Sequence, residues 1–364
     1  MKKDNFRILH VSKDIVGGIG TVIVNFIRSF ENGNVLSFDS GITSFLKKFY
    51  QIKDQFEVLH FHGAWTLHLL PLLRNLNQPT IVSPHGAFDK TSLAKSKYKK
   101  LLAKYLYMKR CYLNADCIHA LTEKEAKDIR DYGIQDVPIF IIPNGINLEE
   151  ELPINEKLKS ELLALANNRK IILSLSRLHI AKGIDLLIES YKNIVENNSD
   201  TILFIVGSGE KKYEQLLKEK LIKLNLNNSV FLLGEKENED RNVMFDIADI
   251  FVLPTFNEGF GLTVLEAYRQ KVPVITTTAT PFDEIKNQNL GWYINPTKED
   301  LITAIDEALN CEERELREMA TKGYRWVEKN YTSRSVNEKY SELYGWLLNK
   351  SLAEPRFKYK ENNE

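Results

Sequence analysis

Eleven apolar runs of four to six residues, separated by stretches of helical period, constrain this chain most strongly. They are Phe6–Val11, Val35–Phe38, Val58–Phe61, Thr80–Ser83, Cys117–Ala120 and Ile139–Ile142, then Lys170–Ser174, Thr201–Val206, Val230–Leu233, Ile250–Leu253 and Val272–Thr276. Runs this short and this apolar predict strands buried on both faces. The intervening stretches place apolar residues on one helical face: Val22, Ile23, Phe26, Ile27 and Phe30 after the first run, Leu186, Leu187 and Tyr191 after Lys170–Ser174. Strand–helix alternation predicts parallel sheets joined by right-handed crossovers.

Two such series predict two doubly wound, Rossmann-like α/β domains, and 364 residues suit two cores better than one. The turn Pro143-Asn144-Gly145 and the acidic, Pro-containing Glu149-Glu150-Glu151-Leu152-Pro153 place the seam between Asn144 and Asn168. The boundaries drawn are 1–160, 161–330, a C-terminal helical segment 331–350, and a polar, aperiodic tail 351–364 expected to be disordered. Helices are predicted over Glu312–Asn330 and Ser333–Leu348.

Formal net charge is zero, so no global charge argues for nucleic acid. No apolar run approaches the ~18 residues of a membrane span. Arg7 and His10 interrupt the first apolar run, so it does not read as a signal peptide. Cys111, Cys117 and Cys311 show no zinc spacing and read as free thiols of a cytoplasmic protein.

The chemistry concentrates after the strands. Asn257-Glu258-Gly259-Phe260-Gly261-Leu262-Thr263-Val264-Leu265-Glu266-Ala267 follows the run Ile250–Leu253 and sets two carboxylates eight residues apart. Pro254 to Glu258 reads as a loop and Gly261 to Gln270 as a helix, whose first N–H groups suit a phosphate. Glu266, more than a turn in, can accept hydrogen bonds from ribose hydroxyls. Carboxylates for hydroxyls and amides for phosphate suit a sugar nucleotide. Ser176-Arg177-Leu178-His179-Ile180-Ala181-Lys182-Gly183 follows Lys170–Ser174 and offers a guanidinium fork and a mobile ammonium to a diphosphate. Cations at a helix start are electrostatically awkward, which favours a functional reading.

Other segments are less specific. Gly17-Gly18-Ile19-Gly20 opens the first helix without matching the G-x-G-x-x-G dinucleotide pattern. Gly207-Ser208-Gly209-Glu210 reads as a strand–helix turn. His85 lies at a strand's carboxyl end beside Gly86, where α/β sheets place ligands. His60 and His62 share a strand face, but nothing nearby in sequence completes a metal shell. His62 can line an acceptor site instead. No D-x-D occurs. Lys90, Lys95, Lys97, Lys99, Lys100, Lys104, Lys109 and Arg110 interleave with Leu93, Tyr98, Leu101, Leu102, Tyr105, Leu106 and Met108. This basic amphipathic stretch around 93–110 suits either an anionic membrane surface or an ordinary solvated helix.

The Glu258–Glu266 segment resembles the E-x7-E motif of retaining "group 1" (family 4) glycosyltransferases of the GT-B fold, and Arg177–Gly183 is similar to their R-x4-K-G pattern. The resemblance runs from the Gly17-Gly18 loop to Trp326 and the closing helices. It implies a GT-B fold, two Rossmann-like domains facing across a cleft, with the acceptor on the first domain and the nucleotide sugar on the second. It implies that the last helix crosses back to the first domain. Arg177 and Lys182 would bind the diphosphate, Glu258 the sugar hydroxyls and Glu266 the ribose. Gly17, Gly18, Gly259, Phe260, Gly261, Leu262 and Thr263 would line the donor, and His85 would lie near its sugar. The catalytic set is then Glu258, His85, Arg177 and Lys182, with no metal and no cofactor.

The expected reaction is retaining transfer of a hexose or N-acetylhexosamine from a UDP- or GDP-sugar to a glycan acceptor. A lipid-linked oligosaccharide for surface polysaccharide or lipopolysaccharide is the acceptor expected, at the inner face of the cytoplasmic membrane. Two alternatives stand beside it. A non-catalytic GT-B partner is one, against which the intact set Arg177, Lys182, Glu258 and Glu266 argues; an NAD-dependent oxidoreductase, motivated by Gly17–Gly20 and Gly207–Gly209, is the other, and it would leave Arg177, Lys182 and the Glu pair unexplained.

Overall fold

A computed structural model of the chain describes residues 6–13, 33–38, 41–94 and 96–361. The chain divides into two compact units, one built from Met1–Gly145 with Ser333–Glu364 and one from Ile146–Thr332. Each unit is a six-stranded, wholly parallel sheet flanked by helices.

The strands of the first unit are β1 (Ile8–Ser12), β2 (Gly33–Ser37), β3 (Val58–His62), β4 (Thr80–Ser83), β5 (Cys117–Ala120) and β6 (Ile139–Ile141). Their order is β2-β1-β3-β4-β5-β6. The second unit holds β7 (Lys170–Leu175), β8 (Thr201–Val206), β9 (Val230–Leu232), β10 (Ile250–Leu253), β11 (Val274–Thr277) and β12 (Gly291–Ile294), ordered β9-β8-β7-β10-β11-β12. Counted from its own first strand, that is the 3-2-1-4-5-6 order of dinucleotide-binding sheets. The topology reverses between β1 and β3 in the first unit and between β7 and β10 in the second. Open α/β sheets bind ligands beyond the strands' carboxyl ends at such reversals.

Burial explains why these runs became strands. Every residue of β1, β3, β4, β5, β8, β10 and β11 is buried. Helices can cover both faces only if both alternating sets of side chains are apolar or paired. The eleven predicted runs all carry strands. The twelfth, β12, starts on Gly291 at the sheet's edge and is only half buried, so it lacks the continuous apolar signature.

The helix Ser333–Leu348 lays Val336, Tyr340, Leu343, Tyr344, Trp346 and Leu347 on Ile8, Val58, Ile81, Cys117 and Phe140 of the first sheet. Two boundaries differ from the sequence reading. Residue 160 falls inside the helix Glu156–Ala166, which the second unit claims through Asn155 Nδ2 to Asp240 (2.8 Å) and Lys159 Nζ to Asp246 (2.7 Å). The division comes instead after Gly145. The expected disordered tail is ordered through Glu361. Its backbone bonds flank Phe140, with Ile141 N donating to Phe357 O (2.9 Å) and Tyr359 N to Ile139 O (2.8 Å). An unpaired edge at β6 presents backbone groups that need partners, and this segment supplies them. Arg130 Nε to Glu361 (2.6 Å) ties its end.

Candidate active site

At the reversal in the second unit, the loop after β10 and the turn after β7 are bonded to each other. Ala181 O accepts from Phe256 N (2.8 Å), and the buried Thr255 Oγ1 lies 2.9 Å from the same oxygen. Gly183 makes the approach possible. Its φ is +65°, and a Cβ there would stand 2.1 Å from Pro254 O. Leu178 N donates to Ser208 O (2.8 Å), so the turn after β8 joins the same framework.

This framework brings Lys182 and Glu258 together. Lys182 Nζ lies 2.7 Å from Glu258 Oε2, with the two side chains only 12% and 13% exposed. A pair so withdrawn from water is screened far less than a surface ion pair. Beside it, Gly261 (φ +95°) turns the chain into the helix Leu262–Arg269. No side chain caps that helix and its first turn holds no acid, which leaves its terminal amide dipoles for an incoming anion.

The remaining expected residues are placed differently. Arg177, just past β7, is exposed. Gly259 is exposed, and Leu262 and Thr263 are partly exposed at the helix start. Phe260 turns away: its ring is 5% exposed and packs edge-on against Phe282 (5.3 Å) and Tyr331 (5.9 Å). Its side chain is therefore a core anchor of the loop, and only its backbone is left for a ligand. Glu266 is engaged by Arg241 from the helix Asn238–Asp246, with Nη2 to Oε2 at 2.5 Å and Nε to Oε1 at 3.3 Å. The sequence reading missed Arg241, which has no motif and reaches Glu266 only through the fold. Gly17 and Gly18 lie outside the described residues.

In the first unit, His85 follows β4 in a left-handed backbone (φ +53°). Glu125 holds that turn: Oε1 accepts from Gly86 N (2.5 Å) and Oε2 from Leu121 N (2.8 Å). Burial raises the Glu125 pKa to about 7 despite these two bonds. His85 Nε2 lies 3.0 Å from His62 Nδ1, and His62 Nε2 lies 2.9 Å from His10 Nδ1. Burial lowers the pKa of His10 and of His85 to about 3 and that of His119 to about 4, so these rings are neutral at pH 7.

The fold thus adds a third histidine, His10, to the His60/His62 pair, and their nitrogens cluster within 4.8 Å. A metal does not suit this arrangement. His60 gives Nε2 to Ser83 (2.7 Å) and Nδ1 to Tyr344 (2.9 Å), while His62 bonds at both nitrogens. The rings of His60 and His62 stack at 4.1 Å, so their lone pairs lie in near-parallel planes rather than converging.

Comparison with known proteins agrees with this fold. Residues 155–326 match the family model "Glycosyl transferases group 1", and residues 8–150 match "Glycosyltransferase Family 4". An Escherichia coli UDP-Gal:alpha-D-GlcNAc-diphosphoundecaprenol alpha-1,3-galactosyltransferase is 30% identical over 293 residues, spanning 76% of this chain and 74% of the relative. The Staphylococcus aureus capsular polysaccharide biosynthesis glycosyltransferase CapM is 30% identical over 209 residues, 57% of this chain and 54% of CapM. The crystal structure of Anabaena Alr3699/HepE in complex with UDP and glucose superposes with a TM-score of 0.77 at 15% identity, covering 93% of this chain and 99% of that one.

Proposed function

The chain belongs to the group 1, family 4 glycosyltransferases of the GT-B fold, and on that premise we propose that it transfers a hexose or N-acetylhexosamine from a UDP- or GDP-sugar to a lipid-linked glycan acceptor, with retention of anomeric configuration. The acceptor class is supported by the galactosyltransferase relative, whose named acceptor is a diphosphoundecaprenol, and surface polysaccharide by CapM. A nucleotide-sugar donor is supported by the UDP held in the Anabaena structure.

The observation that carries the mechanism is the withdrawn Lys182–Glu258 pair beside an uncapped helix start. In this reading Lys182, Arg177 and the amides from Gly261 to Thr263 receive the diphosphate. Glu258, oriented by Lys182, accepts hydrogen bonds from the donor sugar. Glu266, oriented by Arg241, accepts from the ribose. The acceptor oxygen attacks the anomeric carbon on the face the diphosphate leaves. Its proton passes to the departing phosphate oxygen, so the nucleoside diphosphate leaves as the C–O bond to it breaks. Two cationic side chains and a helix dipole supply the stabilisation of the leaving group, and no metal is required.

Glu258→Ala should fold normally and lose on the order of 10²–10³ of transfer rate in an assay with labelled UDP- and GDP-sugars and an undecaprenyl-linked acceptor. Unchanged turnover would remove Glu258 from the chemistry. Activity abolished by EDTA would overturn the metal-free reading, and a chain inert with every donor that it binds would favour a non-catalytic partner.

We also propose that the first unit docks peripherally on an anionic bilayer. The helix Lys97–Ala103 and the π-helical turn Lys104–Met108 expose Tyr98 (85%), Leu102 (62%), Tyr105 (79%) and Leu106 (67%) to solvent. Exposed Lys97, Lys99, Lys109 and Arg110 flank them. Lys100 and Lys104 instead turn inward over Trp65 and Tyr132. An apolar stripe with a basic border fits lipid headgroups better than water. Among the described residues no helix is long and apolar enough to cross a membrane.

A further inference from the structure

The first sheet ends on β6, a strand of three residues with β5 on one side. Residues 355–361 cover its other side as a short antiparallel segment, with Lys358 opposite Phe140. Ile141 N donates to Phe357 O (2.9 Å) and Tyr359 N to Ile139 O (2.8 Å).

What the edge selects can be read from what fills it. Pro355 is buried at the start of the segment. The Phe357 ring lies 6.0 Å from that of Phe140 and packs on the cluster beneath the helix Ser333–Leu348. Tyr359 packs on the cluster of the sheet's opposite face. Arg130 donates Nη1 to Ile134 O (2.8 Å) and to Val137 O (2.9 Å), so its own neighbours hold it in place. Its Nε then meets Glu361 at 2.6 Å. The result is a groove for an extended segment: backbone groups of β6 for its main chain, an aromatic seat at each face and a cation for a closing acid.

The connection to that segment is exposed. Residues 349–354, which join it to the helix Ser333–Leu348, all face solvent. Their turn is closed locally, by Leu352 N to Asn349 O (3.1 Å) and Ser351 N to Asn349 Oδ1 (3.1 Å). Phe357, Lys358 and Tyr359 are each only partly buried. An element with few buried contacts opens while the rest of the domain stays folded. Six residues span about 20 Å when extended, enough to carry the segment away from its own edge.

We propose that the β6 edge is a docking site for residues 355–361 of a second copy of this chain, filled in the monomer by the chain's own segment and exchanged between two copies in a two-fold dimer. The groove contacts are the same in either arrangement, so exchange sacrifices none of them. Concentration then decides between the two. A short flexible link holds the segment at an effective concentration on the order of millimolar, so the closed monomer prevails in dilute solution.

Three measurements on the full chain test this. Amide hydrogen exchange reads the opening: Ile141 and Tyr359 should exchange about tenfold or more faster than Ile118, whose N–H bonds Pro138 O (2.9 Å) inside the sheet. Equal rates would overturn the proposal, because the segment would then leave only on global unfolding. Sedimentation should show monomer at ~10 µM and dimer at ~1 mM, and monomer at both would overturn it. The variant Phe357→Asp/Tyr359→Pro, still of full length, cannot seat its own segment, since proline lacks the N–H that Ile139 O accepts. It should lose Tm, and regain it on binding a fluorescent synthetic peptide of residues 353–361, the probe for a second copy's segment. No binding, or equal binding of the same peptide carrying Phe357→Asp, would overturn the proposal. A dimer at ~1 mM that persists in the variant would place the association on another face and overturn it too. The first two measurements use the native chain and stand whatever the variant's stability.

Discussion

Lys182 and Glu258 stand 76 positions apart in the chain and 2.7 Å apart in space. Each was legible alone, Lys182 because a cation at a helix start is awkward without a ligand, and Glu258 from its spacing to Glu266 across the Gly-Phe-Gly turn. Their pairing was not, since it depends on Gly183 letting Pro254 O approach. Arg241 was invisible for the same reason, its contact with Glu266 being wholly tertiary. The Glu-x7-Glu spacing located Phe260 but not its direction, which the aromatic cluster of Phe282 and Tyr331 decides. Arg177 is the residue whose role separates most cleanly. Being exposed, it contributes little to the fold. Arg177→Ala should therefore leave Tm unchanged and weaken nucleoside diphosphate binding about tenfold, while binding of the bare nucleoside changes little. Equal weakening of both would move Arg177 away from the phosphates.

Among the elements, strands buried on both faces were readable because nothing but apolar or paired residues survives there. The edge strand β12 and the segment around Phe357 were not, because edges tolerate polar residues and draw their stability from one neighbour. The basic stretch around 93–110 was readable as amphipathic, yet which face meets protein was not. Met108 is buried while Leu102 and Leu106 face water, and two of the lysines turn inward. The double variant Leu102→Glu/Leu106→Glu should lose about tenfold or more of its affinity for vesicles containing anionic lipid. Its Tm should not fall, since neither side chain is part of the core. Undiminished vesicle binding would remove this face from the membrane.

For the whole molecule, the histidines of the first unit carry a pH signature. His10, His85 and His119 are lowered from 6.5 to about 3, 3 and 4, and burial lowers His60 and His62 well below 6.5. The unfolded chain then binds more protons than the folded one below pH 6.5, so stability falls as pH falls. Glu125 works oppositely. Raised from 4.5 to about 7, it binds its proton more tightly in the fold, so its contribution weakens as pH rises from 4.5 to 7. Asp249 and Glu284, raised by burial, act in the same sense as Glu125, but five histidines outweigh three carboxylates, and Tm should drop steadily between pH 6.5 and 4. A Tm independent of pH across that interval would mean that the rings are not buried as neutral groups. His119→Phe should shallow the slope.

The central claim is that the second unit receives a nucleoside diphosphate through Lys182, Arg177 and an uncapped helix, without a metal. Titration calorimetry of the purified protein with UDP, GDP, ADP and NAD in chelator tests it most directly. The account predicts that one nucleoside diphosphate binds, that NAD does not, and that Lys182→Ala abolishes the heat. Binding that appears only on adding a divalent cation, or that survives Lys182→Ala, would contradict it.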